Sequence, residues 1–208
     1  MKEEYRTVMH QAEAELVEKR SRFIATVKPV QTENEAIEVL ESLKKQYWDA
    51  KHNVYAYVLE ENNIQRYSDD GEPAGTAGVP VLDMIKKEGL SNLIVVVTRY
   101  FGGILLGTGG LVHAYSKSAK LGVEAAKPVT MQLCREVMLE CDYSMFGKLQ
   151  PWILNQGLKI SDINYADNVG LCVFVPVAAV KSFVDELIDM TNGKINISQG
   201  EEGYSVQE

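Results

Sequence analysis

The 208 residues are 46% hydrophobic and 24% charged, which suits one large folded domain or two small ones and excludes disorder, collagen and coiled coil. With 21 basic and 29 acidic residues the net charge is −8, unfavourable for a protein that coats nucleic acid indiscriminately, because phosphate binding needs Lys and Arg. The longest strongly apolar stretch, Leu93 to Val97, falls far short of the ~20 residues that span a bilayer, and the opening MKEEYRTVMH lacks the apolar core of a secretory signal, so a cytoplasmic protein with no membrane contact is expected.

In chain order, residues 22–29 alternate with a period of two and read as a strand. Thr32 and Glu35 have capping-box spacing, and Ala36, Ile37, Val39, Leu40 and Leu43 follow at helical spacing, which predicts a helix over 33–47. Residues 52–60 are rich in β-branched and aromatic types and predict a strand, with 64–68 pairing back through a turn at Glu61-Asn62-Asn63. Asp69 to Pro80 (DDGEPAGTAGVP) is a loop on its chemistry, with three glycines, two prolines and adjacent aspartates. A short helix over 81–87 and a buried strand over 92–99 come next. The glycine cluster FGGILLGTGG (101–110) then leads into a helix over 111–126.

That helix ends before Lys127-Pro128, which places a domain boundary at about residues 127–134. Two domains are expected, 1–130 and 134–208. The second reads as strand 135–142, helix 144–156, strand 159–166, strand 169–176, helix 177–191 and strand 194–204. This βαββαβ order is the ferredoxin-like split βαβ. Asp167-Asn168 fits a two-residue hairpin turn with Asn at positive φ, and Gly193 fits a helix C-terminus. The fold class is α+β. Charge divides unevenly: residues 1–130 hold 16 basic and 18 acidic residues, and residues 131–208 hold 5 and 11, so an anion-binding surface belongs in the first part. Cys134, Cys141 and Cys172 are odd in number and lack CxxC spacing, as reduced thiols do.

Nine of the 16 glycines fall between Gly71 and Gly110. A strand, Gly102-Gly103, then GTGG and a helix can cradle an anion: the helix N-terminus offers unpaired N–H groups, and glycine lets a ligand reach the backbone. Gly107, Gly109 and Gly110 would form the cradle with Arg99 beside it; the same glycines equally serve tight packing of strand against helix. The sequence is neither a P-loop nor GxGxxG. Tyr100 and Phe101 beside Arg99 can stack single-stranded bases or sit at the edge of a core. His113 can donate to an anion at the helix start. Lys19, Arg20 and Arg22 form a basic strip, either an RNA contact or a solvated strand end. Asp69, Asp70 and Glu72, with His52 across from them, can supply acid–base groups or hold Mg²⁺, or can form a solvated turn. No nucleophile–base pair or GxSxG elbow stands out, no metal site is assigned and no cofactor is expected.

The blocks KRSRFIA (19–25), HNVYAYVL (52–59), DDGEPAGTAGVP (69–80) and VTRYFGGILLGTGGLVHAYS (97–116) resemble the IMPACT (YigZ-like) family, in its bacterial two-domain type. The resemblance implies a first domain shaped like the α/β sandwich shared by a small-subunit ribosomal protein and elongation factor G domain IV. It also implies a second, ferredoxin-like domain similar to the last domain of elongation factor G. Eukaryotic relatives regulate translation through an added domain that these residues lack, so the implied role here is binding of RNA, the ribosome or a translation factor. At position 113 the family usually has a basic residue; histidine keeps a donor but weakens the fixed charge.

Three readings follow. The leading one is a regulatory module that binds phosphate backbone at the glycine loop and helix N-terminus. The second is an enzyme acting on a phosphorylated or acyl substrate in the same cleft through Asp69, Asp70 and Glu72. The third is a protein-interaction scaffold docking through the acidic second domain, to be supported by an apolar patch on its sheet.

Overall fold

A computed structural model describes residues 2–206. The chain divides into two compact units. One is Arg6–Val129; the other joins the residues up to Tyr5 with those from Thr130 onward.

The first unit is built on β2 (Ala12–Glu18), β3 (Ser21–Pro29), β4 (His52–Leu59), β5 (Ile64–Ser68) and β6 (Leu93–Tyr100), in the order β2-β3-β6-β4-β5 with every neighbour antiparallel. Helices α1 (Glu33–Gln46), α2 (Gly78–Lys87) and α3 (Thr108–Ala125) cover it. Phe23, Ala25, Val54, Ala56, Val95 and Val97 pack with Val81 and Ile85 of α2 and Tyr115 and Ala119 of α3. Tyr57, Leu59, Ile94 and Val96 point the other way, onto Ala36 and Leu43 of α1. The central strand β6 is therefore buried on both faces, which is why its sequence is a continuous apolar run and not an alternation. Helix α1 starts at its predicted cap: the Glu35 backbone N–H donates to Thr32 Oγ1 at 3.2 Å, and the Glu35 carboxylate accepts from Gln31 N at 2.8 Å.

In the second unit, β7 (Pro128–Cys141), β8 (Lys159–Tyr165), β9 (Val169–Pro176) and β10 (Asn196–Val206) take the antiparallel order β10-β7-β9-β8, with β1 (Glu4–Val8) also against β7. Helices α4 (Tyr143–Asn155) and α5 (Val180–Thr191) lie on one face, over Val137, Leu139, Leu171 and Val173. This is the ferredoxin-like arrangement. Cys134 and Cys141 are buried free thiols whose pKa values burial pushes up, and Cys172 is half-exposed. Among the described residues, no helix is long and apolar enough to cross a membrane.

Several boundaries differ from the sequence expectation. Strands β1 and β2 precede the first predicted strand; β2 is an edge strand whose alternate residues are the exposed Glu13, Glu15 and Val17. Strand β7 runs through residues 128–134, beginning at a proline that needs no ladder donor there. Helix α2 starts at Gly78 and not Val81, because Asp69 caps it from outside: Oδ1 accepts from Ala77 N at 3.0 Å and Gly78 N at 2.8 Å. The β8–β9 connection is Ala166–Asn168, and none of these residues takes positive φ. The two-residue left-handed turn stands instead between β2 and β3.

Candidate nucleic-acid interface and the buried polar cluster

The pairing of Glu18 with Ser21 leaves Lys19 and Arg20 as the whole β2–β3 turn, with φ of 45° and 67°. Both are exposed. Such turns favour Asn and Gly, since other L-residues pay ~1–2 kcal/mol each for left-handed backbone. The turn is seated on Gly102. A Cβ at that glycine would collide with the backbone of Arg20 and Ser21, and Gly102 N donates to Ser21 Oγ at 3.2 Å. Packing thus joins the basic turn to the glycine loop, two features far apart in sequence.

The remaining glycines separate by cause. Gly110 is packed, since a Cβ there would meet Leu106 Cβ at 3.0 Å. Gly103 and Gly107 take φ of 84° and 75°, and open space lies beside Gly103, Gly107 and Gly109. These three are exposed. Gly107 is the N-cap of α3 and supplies no side-chain cap, and the first turn holds no acidic residue. The positive end of this helix is therefore unneutralised by its own side chains. Phe101 is 51% exposed and Leu105 83% exposed in the same loop.

Arg22 is less free than its neighbours in the turn. It donates to both carboxylate oxygens of Glu15, at 3.2 and 2.9 Å, and lies over the Tyr100 ring at 5.7 Å. The Arg22 hydrogen bond holds the Glu15 carboxyl below its usual range. Tyr100 donates to Asp49 Oδ1 at 2.8 Å, and desolvation followed by that bond raises its pKa. His113 is exposed on α3 and lines a groove of about 380 Å³ in which Lys87, Lys117 and Lys120 stand with Asp83 and Glu88.

Arg99 turns inward, contrary to its expected place beside the cradle. Its side chain is 7% exposed, and Nη1 donates to Glu72 Oε1 at 2.5 Å. The Tyr115 hydroxyl donates to the same oxygen at 2.8 Å, and His52 Nε2 lies 3.9 Å from it. Rings of Phe23 and Phe101 flank the guanidinium at 5.4 and 5.6 Å. Burial, then the Glu72 charge, pushes the Tyr115 phenol far above its ordinary range. His52 Nδ1 stands 2.8 Å from the Asp70 carbonyl oxygen, which can only accept, so Nδ1 carries the proton.

Two of the three carboxylates expected to do chemistry, Asp69 and Asp70, hold backbone in place. Besides capping α2, Asp69 accepts from Gly75 N at 2.9 Å. Asp70 accepts from Asn53 N at 2.6 Å, with Lys44 at 3.8 Å. Glu72 is occupied by Arg99 and Tyr115. Among the described residues no three His, Cys, Asp or Glu side chains are placed to hold a metal ion. Tyr115 and Asn53 are the members of this cluster that sequence reasoning missed. Tyr115 had a signal: it shares the inward face of α3 with Leu111, Ala114 and Ala119, and a buried tyrosine hydroxyl needs a partner.

Residues 19–123 match the Impact N-terminal domain, and residues 139–194 match a domain of unknown function, DUF1949. Over 201 residues the chain is 42% identical to IMPACT family member YvyE of Bacillus subtilis (strain 168), covering 96% of this chain and 93% of that protein. The chain belongs to the IMPACT family. IMPACT family member YigZ of Escherichia coli (strain K12) is 34% identical over 187 residues, covering 88% of this chain and 92% of its own length. Protein IMPACT of Rattus norvegicus is 34% identical over 117 residues, 53% of this chain and 36% of that protein. A solved structure described as that of a hypothetical protein shares the architecture of this IMPACT family chain. Its TM-score is 0.62 at 31% identity, over 97% of this chain and 99% of that one.

Proposed function

We propose that this IMPACT family chain is a cytoplasmic RNA-binding module connected with translation, which grips phosphate backbone at the tip of the first unit's sheet. Lys19 and Arg20 supply the charge. Gly103, Gly107 and Gly109 let a phosphate approach the amides at the start of α3, and Phe101 offers a ring to an unstacked base. The observation that carries this reading is the turn itself. Two cations occupy left-handed positions where Asn-Gly would fold more easily, and strain held at an exposed charged site points to function. The groove bearing His113, Lys87, Lys117 and Lys120 also holds Asp83 and Glu88, so it is of mixed charge and is not counted in the site. Arg99 has no part in this site, because its charge is answered internally by Glu72. Family membership supports translation as the setting and the ribosome or a translation factor as the context in which RNA is met. The enzyme reading loses support, since Asp69 and Asp70 are committed to backbone N–H groups.

Fluorescence anisotropy with a labelled single-stranded RNA, measured across a salt series, tests the proposal. Wild type should bind at low salt. Lys19→Glu with Arg20→Glu should weaken binding at least ~10-fold and reduce the log–log salt slope by roughly 0.7 for each lost phosphate contact. Binding that is undetectable at low salt, or indifferent to both reversals, rejects it.

A further inference from the structure

The sheet face of the second unit that α4 and α5 leave uncovered carries a depression of about 420 Å³. Two adjacent rows of the antiparallel ladder build it. One runs Asp162–Cys172–Met138–Ser198 across β8, β9, β7 and β10, and the next runs Asn164–Gly170–Glu140–Asn196. The concavity arises at Gly170, which contributes no side chain; a Cβ there would meet only Asn164, at 3.8 and 3.9 Å. Met138, 42% exposed, and half-exposed Cys172 form an apolar wall, which Phe174 extends along β9. The following row pairs Phe174 with Glu136 on one side and Lys159 on the other. Three rows therefore hold the carboxylates of Glu136, Glu140 and Asp162 against one lysine. Glu140 is oriented by Asn168, whose Nδ2 donates to Oε1 at 3.0 Å.

We propose that this depression docks an arginine-bearing segment of a basic protein partner. The three parts of the site match the three parts of that side chain. Gly170 leaves room for it to enter. The thioether of Met138 and the Cys172 thiol are soft, adaptable partners for its methylene stem. Glu140 and Asp162 receive the guanidinium, whose planar fork suits carboxylates better than an ammonium does. Charge sets the partner class: residues 131–208 hold 5 basic and 11 acidic residues, so a polyphosphate is repelled here and a basic protein is attracted. The inference stands apart from the RNA reading, which concerns the other unit and the opposite charge.

Anisotropy of a labelled peptide of alternating arginine and leucine, titrated with the full chain, tests it. Wild type should bind this peptide and bind its lysine counterpart several-fold more weakly. Glu140→Lys with Asp162→Lys should lose at least ~10-fold in affinity, and both positions are exposed enough for the fold to survive. Gly170→Leu, with its folding confirmed by circular dichroism, should do the same by filling the depression. Asp185→Lys, at an exposed position of α5 on the covered side of the sheet, should change nothing. The proposal is overturned if the charge-reversed variant binds as wild type does, if Asp185→Lys weakens binding equally, or if spermine competes as well as the unlabelled arginine peptide. Self-association in sedimentation that Gly170→Leu abolishes would assign the face to a second copy, and that also overturns it.

Discussion

Arg99 and Glu72 show how a residue that looks functional in sequence can be consumed by folding. A buried guanidinium needs a carboxylate, and here one oxygen of Glu72 serves Arg99 and Tyr115 together. Removing one partner strands the other charge. Glu72→Ala should therefore cost about 3–5 kcal/mol of unfolding free energy in urea titrations, whereas replacing the pair with Leu and Met should recover much of the loss. A cost below about 1 kcal/mol for Glu72→Ala would show that the pair is not desolvated as described. Tyr115 adds a pH dependence. Its folded pKa lies above the ~10 of an unfolded tyrosine, so the stability it contributes is full below about pH 10 and is lost as pH rises through the folded value. Tyr115→Phe should flatten the alkaline limb of stability against pH; an unchanged limb would place the titrating group elsewhere. The sequence displayed Arg99, Glu72 and His52 as chemical groups and marked Tyr115 as inward-facing, but it did not show that Arg99 pairs with Glu72, because strand register and loop closure bring them together.

The proposed RNA site makes the hairpin of β2 and β3 an element in which stability and binding pull in opposite directions. Replacing Lys19-Arg20 with Asn-Gly gives the turn the residues its backbone prefers and should stabilise the chain by about 1 kcal/mol. The same change should weaken RNA binding. A variant both more stable and unimpaired in binding would mean that the cations are there by chance. Elements with strong local signals were legible: the capping box of α1, the apolar run of β6 and the βαββαβ order of the second unit. The start of α2 was not, because its cap comes from Asp69, nine residues before Gly78. Strand β2 was missed because its inward residues include small alanines that give a weak apolar signal. Nothing in the 101–110 glycines told packing from openness; only their neighbours do, with Gly102 against Arg20 and Gly109 against nothing.

Across the whole molecule, charge is partitioned. The net −8 conceals a nearly balanced first unit with exposed cations at one sheet tip and an acidic second unit with an uncovered sheet face. The two proposals accordingly assign phosphate and basic protein to different units. Composition revealed this asymmetry; the surfaces that express it needed the fold. The most direct measurement of the central claim is a titration of the isotopically labelled chain with single-stranded RNA, followed by amide chemical shifts. The expected result is that shifts concentrate at Lys19, Arg20, Gly103, Gly107, Thr108 and Gly109 and fade with added salt. Shifts confined to other surfaces, or none at low salt, would contradict it.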